Sequence, residues 1–340
     1  MKNIIKVVFV IIGSLIGAGF ASGQEIYLFF FSYGINGIIG IIISSTLIGI
    51  VTKKSLKIIK QYNIQTYKQF LEIIINTKRK NTIKLINLIV NTFILATFFI
   101  MIAGFGTYLE QEYGINKIVG SIILAIITFI ILNKNIKGVV KANEIIVPIL
   151  IILITIIGLI NLTNIPLLEI KKYTIQNNNP IFILQAILYA SYNSILLIPI
   201  LITLNKYIKS NKQINIISII STLIIILLSI LIYLLLTKVD VNIEMIEMPA
   251  VYVVSNMFKI FKYIYGFIIL GSIFTTTISL GVSFLQNINK KKLSYTQIAA
   301  LMCITSTIIS NIGFSNLVNS LYPIFGYLGI LQIWKIKSKK

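Results

Sequence analysis

Residues 13–25, GSLIGAGFASGQE, place four glycines, two serines, a glutamine and a carboxylate inside an apolar run. Glycines that keep a helix from closing can expose backbone N–H groups to an anion and carbonyl oxygens to a cation. The carboxylate, Glu25, can gate a cavity, bind an amine or carry a proton. A second polar group, Ser191-Tyr192-Asn193-Ser194, interrupts another apolar run ahead of Pro199. A third, GSIFTTTISLG (271–281), offers hydroxyl oxygens, which suit a hard cation. Glu144 is the other acid inside an apolar run. The chain has no His and one Cys, Cys303, which removes histidine bases, disulfide frameworks and Cys/His zinc sites. Glu25 and Glu144 fall on opposite sides of the membrane midplane as the spans are read below, so they form no catalytic pair and an enzyme is not expected. No strand precedes the Gly-x-Gly, so it is not a nucleotide loop, and no cofactor is expected.

The elements that must carry these residues are membrane helices. Of 340 residues 57% are hydrophobic and 11% charged, and the natural solvent for such a chain is lipid. Apolar runs recur at about 4–32, 35–52, 83–109, 117–132, 139–161, 181–204, 213–236, 263–286, 296–311 and 315–334, each near the ~20 residues a bilayer needs. With the N-terminus cytoplasmic, the inner segments hold 24 of the 30 Lys and Arg. The outer loops hold six of the nine acids: Glu110, Glu112, Glu169, Asp240, Glu244 and Glu247. The net charge of +21 therefore reads as positive-inside loops rather than as a nucleic-acid surface. The expectation is an all-α, multi-pass plasma-membrane protein of ten spans with both termini cytoplasmic. The first run continues to Phe31, past the small residues at 19–21, so it is expected to be a span rather than a cleaved leader.

One transmembrane domain over 1–340 is expected. Residues 53–82 read as an amphipathic helix on the anionic inner leaflet, and 241–262 as an outer re-entrant or interfacial segment. Ten spans divide into five plus five, about 4–162 and 180–335. An odd repeat length inverts the second half. The sixth span then corresponds to the first, and both have polar centres. Paired interruptions of this kind point to a transporter's midplane site.

Other readings of the same residues stand beside this one. Gly13-x-x-x-Gly17 and Gly19-x-x-x-Gly23 are also helix-packing patterns. Against packing alone, Gly17, Ala18, Gly19, Ala21, Ser22 and Gly23 cover every face of a helix. The threonines can bond their own helix backbone. Lys141 and Glu144, spaced i, i+3, can pair. Glu25 can cap the outer half-helix.

GSLIGAGFASGQEI, the polar sixth span and the ten-span arrangement resemble the amino acid–polyamine–organocation superfamily with the LeuT-like fold. The wording GAGFASGQE is similar to that of the bacterial YkvI-type membrane proteins, an amino acid permease group. The resemblance implies interrupted first and sixth spans, with substrate facing Gly17, Ala18 and Gly19 in the first and Tyr189, Ser191 and Asn193 in the sixth. It implies a sodium site from the carbonyls of Gly13, Ile16 and Ser272 and the hydroxyls of Thr275 and Thr276. Some relatives use a lysine of the fifth span in place of the cation, which makes Lys141 a proton-coupling candidate beside Glu25 and Glu144. Phe20 stands where members with a second sodium site have Asn, so only one sodium is implied.

The function expected is secondary transport of a small solute, an amino acid above all, coupled to Na+ or H+. The other reading is a non-transporting receptor on the same fold, a germinant-sensor-like subunit. Partners are the solute and the lipid bilayer, and no nucleic acid.

Overall fold

The computed structural model describes residues 2–75, 80–163, 180–239, 246–257, 259–288, 293–310 and 314–338. Among them all regular structure is helical: α1 (Lys2–Leu15), α2 (Ala18–Ala21), α3 (Gln24–Phe29), α4 (Ile35–Gln61), α5 (Tyr67–Ile75), α6 (Lys80–Tyr113), α7 (Lys117–Leu132), α8 (Asn135–Thr163), α9 (Ile181–Leu204), α10 (Asn211–Leu236), α11 (Pro249–Met257), α12 (Lys259–Asn287), α13 (Tyr295–Ile309) and α14 (Phe314–Ser338), with short 3-10 turns at Phe31–Tyr33 and Asn205–Tyr207.

Among the described residues seven helices, α4, α6, α8, α9, α10, α12 and α14, are long and apolar enough to cross a membrane, and α1, α7 and α13 are shorter apolar helices. Outward stripes at helical spacing, such as Ile122, Ile126 and Ile130 on α7 and Leu301, Ile304 and Ile308 on α13, are exposed. Water would not tolerate them, and lipid does. Several helix starts supply their own caps. Asn116 accepts from the Ile118 amide, Ser210 from the Gln213 amide, and Ser294 forms a reciprocal box with Gln297.

Two packed groups follow from the contacts. α4, α9 and α10 pack together with α1, while α6, α7, α12 and α13 form a second set, and α1 also lies against α8 and α12. Small residues set the closeness. Ser218 donates to the Gly49 carbonyl between α10 and α4, and Ser121 donates to the Ile102 carbonyl between α7 and α6. On α14, a Cβ at Gly329 would lie 2.6 Å from the Ser191 carbonyl oxygen of α9. That neighbour is backbone and cannot yield. Gly329→Leu is therefore expected to lower stability by ~1–3 kcal/mol or more through overpacking. Melting curves in detergent test this against Tyr327→Leu, an exposed position on the same helix. Equal melting of both variants would contradict the α9–α14 contact.

Two expectations change here. The sixth span is not interrupted: α9 runs unbroken from Ile181 to Leu204 with Pro199 inside it. Three of its four central polar residues bond their own helix. Ser191 donates to the Ile187 carbonyl (2.6 Å), Asn193 to Tyr189 (3.0 Å) and Ser194 to Ala190 (2.6 Å). The 53–82 connection is not one helix on a lipid surface. α4 takes its first part through Gln61, and α5 buries Tyr67, Phe70, Leu71 and Ile74 in the protein, with the Tyr67 hydroxyl donating to Gln332 Oε1 at 2.9 Å. Of the outer segment, residues 241–245 and 258 lie outside the described residues. Residues Pro249–Met257 form α11, whose Ala250 amide donates to the Ser22 carbonyl at 2.8 Å, and 259–262 open α12.

Candidate functional site: the broken first helix

The first apolar run does not form one helix. α1 stops at Leu15, Gly17 is extended (φ −92°, ψ −167°), and α2 begins at Ala18. Gly23 then takes a left-handed conformation (φ 83°) that glycine adopts without penalty, and α3 begins at Gln24. Backbone groups freed at such a break must find partners inside the protein.

The carbonyls at the end of α1 find Thr276. Its hydroxyl lies 2.8 Å from the Gly13 oxygen and 3.2 Å from the Ile16 oxygen, one donor shared by two acceptors. The neighbouring Thr275 hydroxyl donates to the Ser272 carbonyl at 3.1 Å. All five of these residues, Gly13, Ile16, Ser272, Thr275 and Thr276, are buried. A further oxygen joins them. A Cβ on Gly13 would collide with Asn143 Oδ1 of α8, and that buried oxygen has no hydrogen-bond partner. Carbonyl and hydroxyl oxygens gathered this way suit a hard cation.

The amide end of α2 faces the second group. The Ala18 N–H points at the Met101 thioether of α6 at 3.4 Å, a weak acceptor that leaves the amide poorly satisfied. A Cβ on Gly17 would lie 3.1 Å from the same sulfur, and one on Gly19 would fall on the Glu25 carboxylate. Glu25 is thus folded back from α3 over Gly19. It is buried, and the Tyr192 hydroxyl of α9 donates to its Oε2 at 2.6 Å. Around it the rings of Phe29, Tyr189, Tyr192 and Tyr322 form a continuous set, with centroids 5.5 Å apart for Phe29–Tyr192, 5.4 Å for Tyr189–Tyr192 and 4.6 Å for Tyr192–Tyr322.

The break is covered on one side by α11 and α12. The Tyr265 hydroxyl donates to the Ala21 carbonyl at 2.8 Å, beside the Ala250–Ser22 bond. Next to α11 opens a cavity of about 510 Å³ whose lining includes Glu110, Glu112 and Glu247. Glu112 pairs with Lys262 at 3.3 Å and accepts from Ser255. Burial pushes the Glu247 carboxyl above the usual carboxylate range.

The site residues expected from sequence therefore divide. Gly13 and Ile16 meet Thr276, while Thr275 and Ser272 bond each other within α12; Gly17, Ala18, Gly19, Glu25 and Tyr189 lie around the start of α2. Ser191 and Asn193 are buried near them but spend their side-chain donors on α9. Lys141 is exposed, and the α8 residue against Gly13 is Asn143. Glu144 pairs with Lys6 of α1 at 3.1 Å rather than with Lys141. Tyr192, Met101, Asn143, Tyr265 and Tyr322 are site neighbours that the sequence reading did not select. Tyr192 alone carried a signal, lying i, i+3 from Tyr189 on one helix face.

No family model matches the chain. It is 28% identical over 345 aligned residues to the uncharacterised membrane protein YkvI of Bacillus subtilis, covering 98% of this chain and 95% of that one. It is 25% identical to the uncharacterised protein YyaD of the same organism, covering 98% and 97%. Among solved structures it is similar to a Na+-coupled sialic acid symporter in a substrate-bound outward-open state (TM-score 0.58, 16% identity, 97% of this chain and 76% of that one). It is also similar to the manganese transporter of Eremococcus coleocola (TM-score 0.60, 14% identity, 98% and 78%). The chain is a multi-pass membrane protein that resembles YkvI over nearly its whole length and shares the fold of these solved transporters.

Proposed function

We propose that the chain is a secondary active transporter that moves a small amino-bearing solute, an amino acid or a derivative of one, across the plasma membrane by alternating access, driven by a sodium gradient. One observation carries this reading: a single hydroxyl, that of Thr276, serves two carbonyls freed at the break in the first span. A sodium ion takes that place with ligands from Gly13, Ile16, Ser272, Thr275 and Thr276. Because these come from α1 and α12, the ion ties the first half of the broken helix to the second helix group. The solute binds across the break, against Gly17, Ala18, Gly19, Glu25 and Tyr189. The exposure of Lys141 favours a metal ion over a lysine proton carrier at this point. In this reading α1, α7 and α13 span the membrane with the seven longer helices. The ten spans form two inverted halves, and both termini are cytoplasmic.

The test is uptake of labelled amino acids and amines into proteoliposomes under a sodium gradient, a proton gradient or neither. Accumulation under the sodium gradient, collapsed by a sodium ionophore, is expected. Accumulation under the proton gradient alone would replace the coupling ion. Binding without flux under any gradient would contradict transport.

A further inference from the structure

The charge of the solute is written into the side chains around Glu25. This carboxylate is buried at membrane depth, and it takes no part in the ion pairs of the described residues, which are Lys6–Glu144, Lys68–Glu72 and Lys262–Glu112. Its hydrogen-bond donors in the protein, the hydroxyls of Tyr192 and Tyr189, are neutral. An acid in that position is costly, and a ligand of opposite charge is what it lacks. Its place matters as much as its charge. It occupies the space over Gly19, at the amide end of α2. A solute carboxylate brought to those amides would meet a second carboxylate at close range, whereas an ammonium group would meet its counter-ion.

Two further observations point the same way. The rings beside the carboxylate, Tyr189, Tyr192 and Tyr322 with Phe29, come from three helices, and a wall of aromatic rings suits a cation. The cavity beside α11 gathers three of the chain's nine acids, although the chain as a whole carries +21. Acid-lined clefts concentrate cations and repel anions.

We propose that the solute is an organic cation, a primary amine without a free carboxylate beside it, whose ammonium group displaces the Tyr192 hydroxyl from Glu25 and whose carbon skeleton packs on the tyrosine rings. This rests on the transporter reading above and narrows its solute from amino acids in general to cationic amino derivatives.

Three probes on one carbon skeleton test it: leucinamide (cationic), leucine (zwitterionic) and N-acetylleucine (anionic). Binding is read as thermal stabilisation of the full-length protein in nanodiscs, with sodium present. Leucinamide is expected to bind about tenfold or more tightly than leucine, and N-acetylleucine not at all. Glu25→Gln, close in size, is expected to remove the preference for leucinamide. Tyr192→Phe keeps the ring and removes the competing donor, so leucinamide is expected to bind as tightly as to the wild type or more so. Equal or tighter binding of leucine or N-acetylleucine would overturn the proposal. So would failure of leucinamide to bind at millimolar concentration, or unchanged binding to Glu25→Gln. Flux is measured separately on the same protein. Charge-selective binding without gradient-driven uptake refutes transport and leaves the charge assignment standing. Uptake that prefers leucine does the reverse.

Discussion

Leucine at position 19 is expected to abolish solute uptake while the protein still inserts into the membrane. A Cβ at Gly19 falls on the Glu25 carboxylate, 2.7 Å from its Cγ and 2.9 Å from its Cδ, and leucine adds three more carbons. Glu25 must then leave Tyr192. Loss of a hydrogen bond to a charged group is worth ~1.5–3 kcal/mol. That loss should appear as a lowered melting temperature, while the leucine side chain itself, filling the solute face, should cut uptake by about a hundredfold. The variant is compared with Gly19→Leu combined with Glu25→Ala. The second change removes the group that the leucine strikes, so it should restore melting temperature but not uptake. Uptake by Gly19→Leu at the wild-type rate would mean that the solute does not pass this glycine.

Valine at position 276 is expected to weaken sodium's effect on solute binding by about tenfold to a hundredfold, the equivalent of ~1–3 kcal/mol for the two orphaned carbonyls. Valine matches threonine in shape and lacks only the hydroxyl that serves Gly13 and Ile16. Thr276→Ser keeps that hydroxyl and should keep the sodium response. The check is a sodium titration of solute binding in all three proteins. Identical titrations for Val and Ser would remove Thr276 from the cation site.

The break at Gly17 was legible because glycines and serines on every face of a helix leave no continuous packing stripe. The five residues proposed to hold a cation were named only through a resemblance, and of them Thr276 is the one whose hydroxyl reaches Gly13 and Ile16. The sixth span misled for a physical reason. Ser191, Asn193 and Ser194 are the residue types that line an interrupted helix, and the same types can bond carbonyls one turn back and leave it whole. No local pattern distinguishes these outcomes. The fold of Glu25 over Gly19 was hidden too, since it depends on α2 ending after four residues and on the turn at Gly23. Its partner Tyr192 lies 167 positions away. Helical spacing suggested Lys141 for Glu144, but tertiary packing brings Lys6 instead.

Alternating access makes a directional demand that one measurement can meet. In the proposed cycle a cation held between Gly13, Ile16 and Thr276 would draw the first half of the broken helix onto α12, closing that side and freeing the side under α11. Single cysteines at Val8, buried on α1, and at Ala250, buried on α11, report the two sides by their rates of alkylation in a Cys303→Ser background. Sodium is expected to slow labelling at position 8 and speed it at position 250. Rates that rise together or fall together would contradict alternating access around the broken helix.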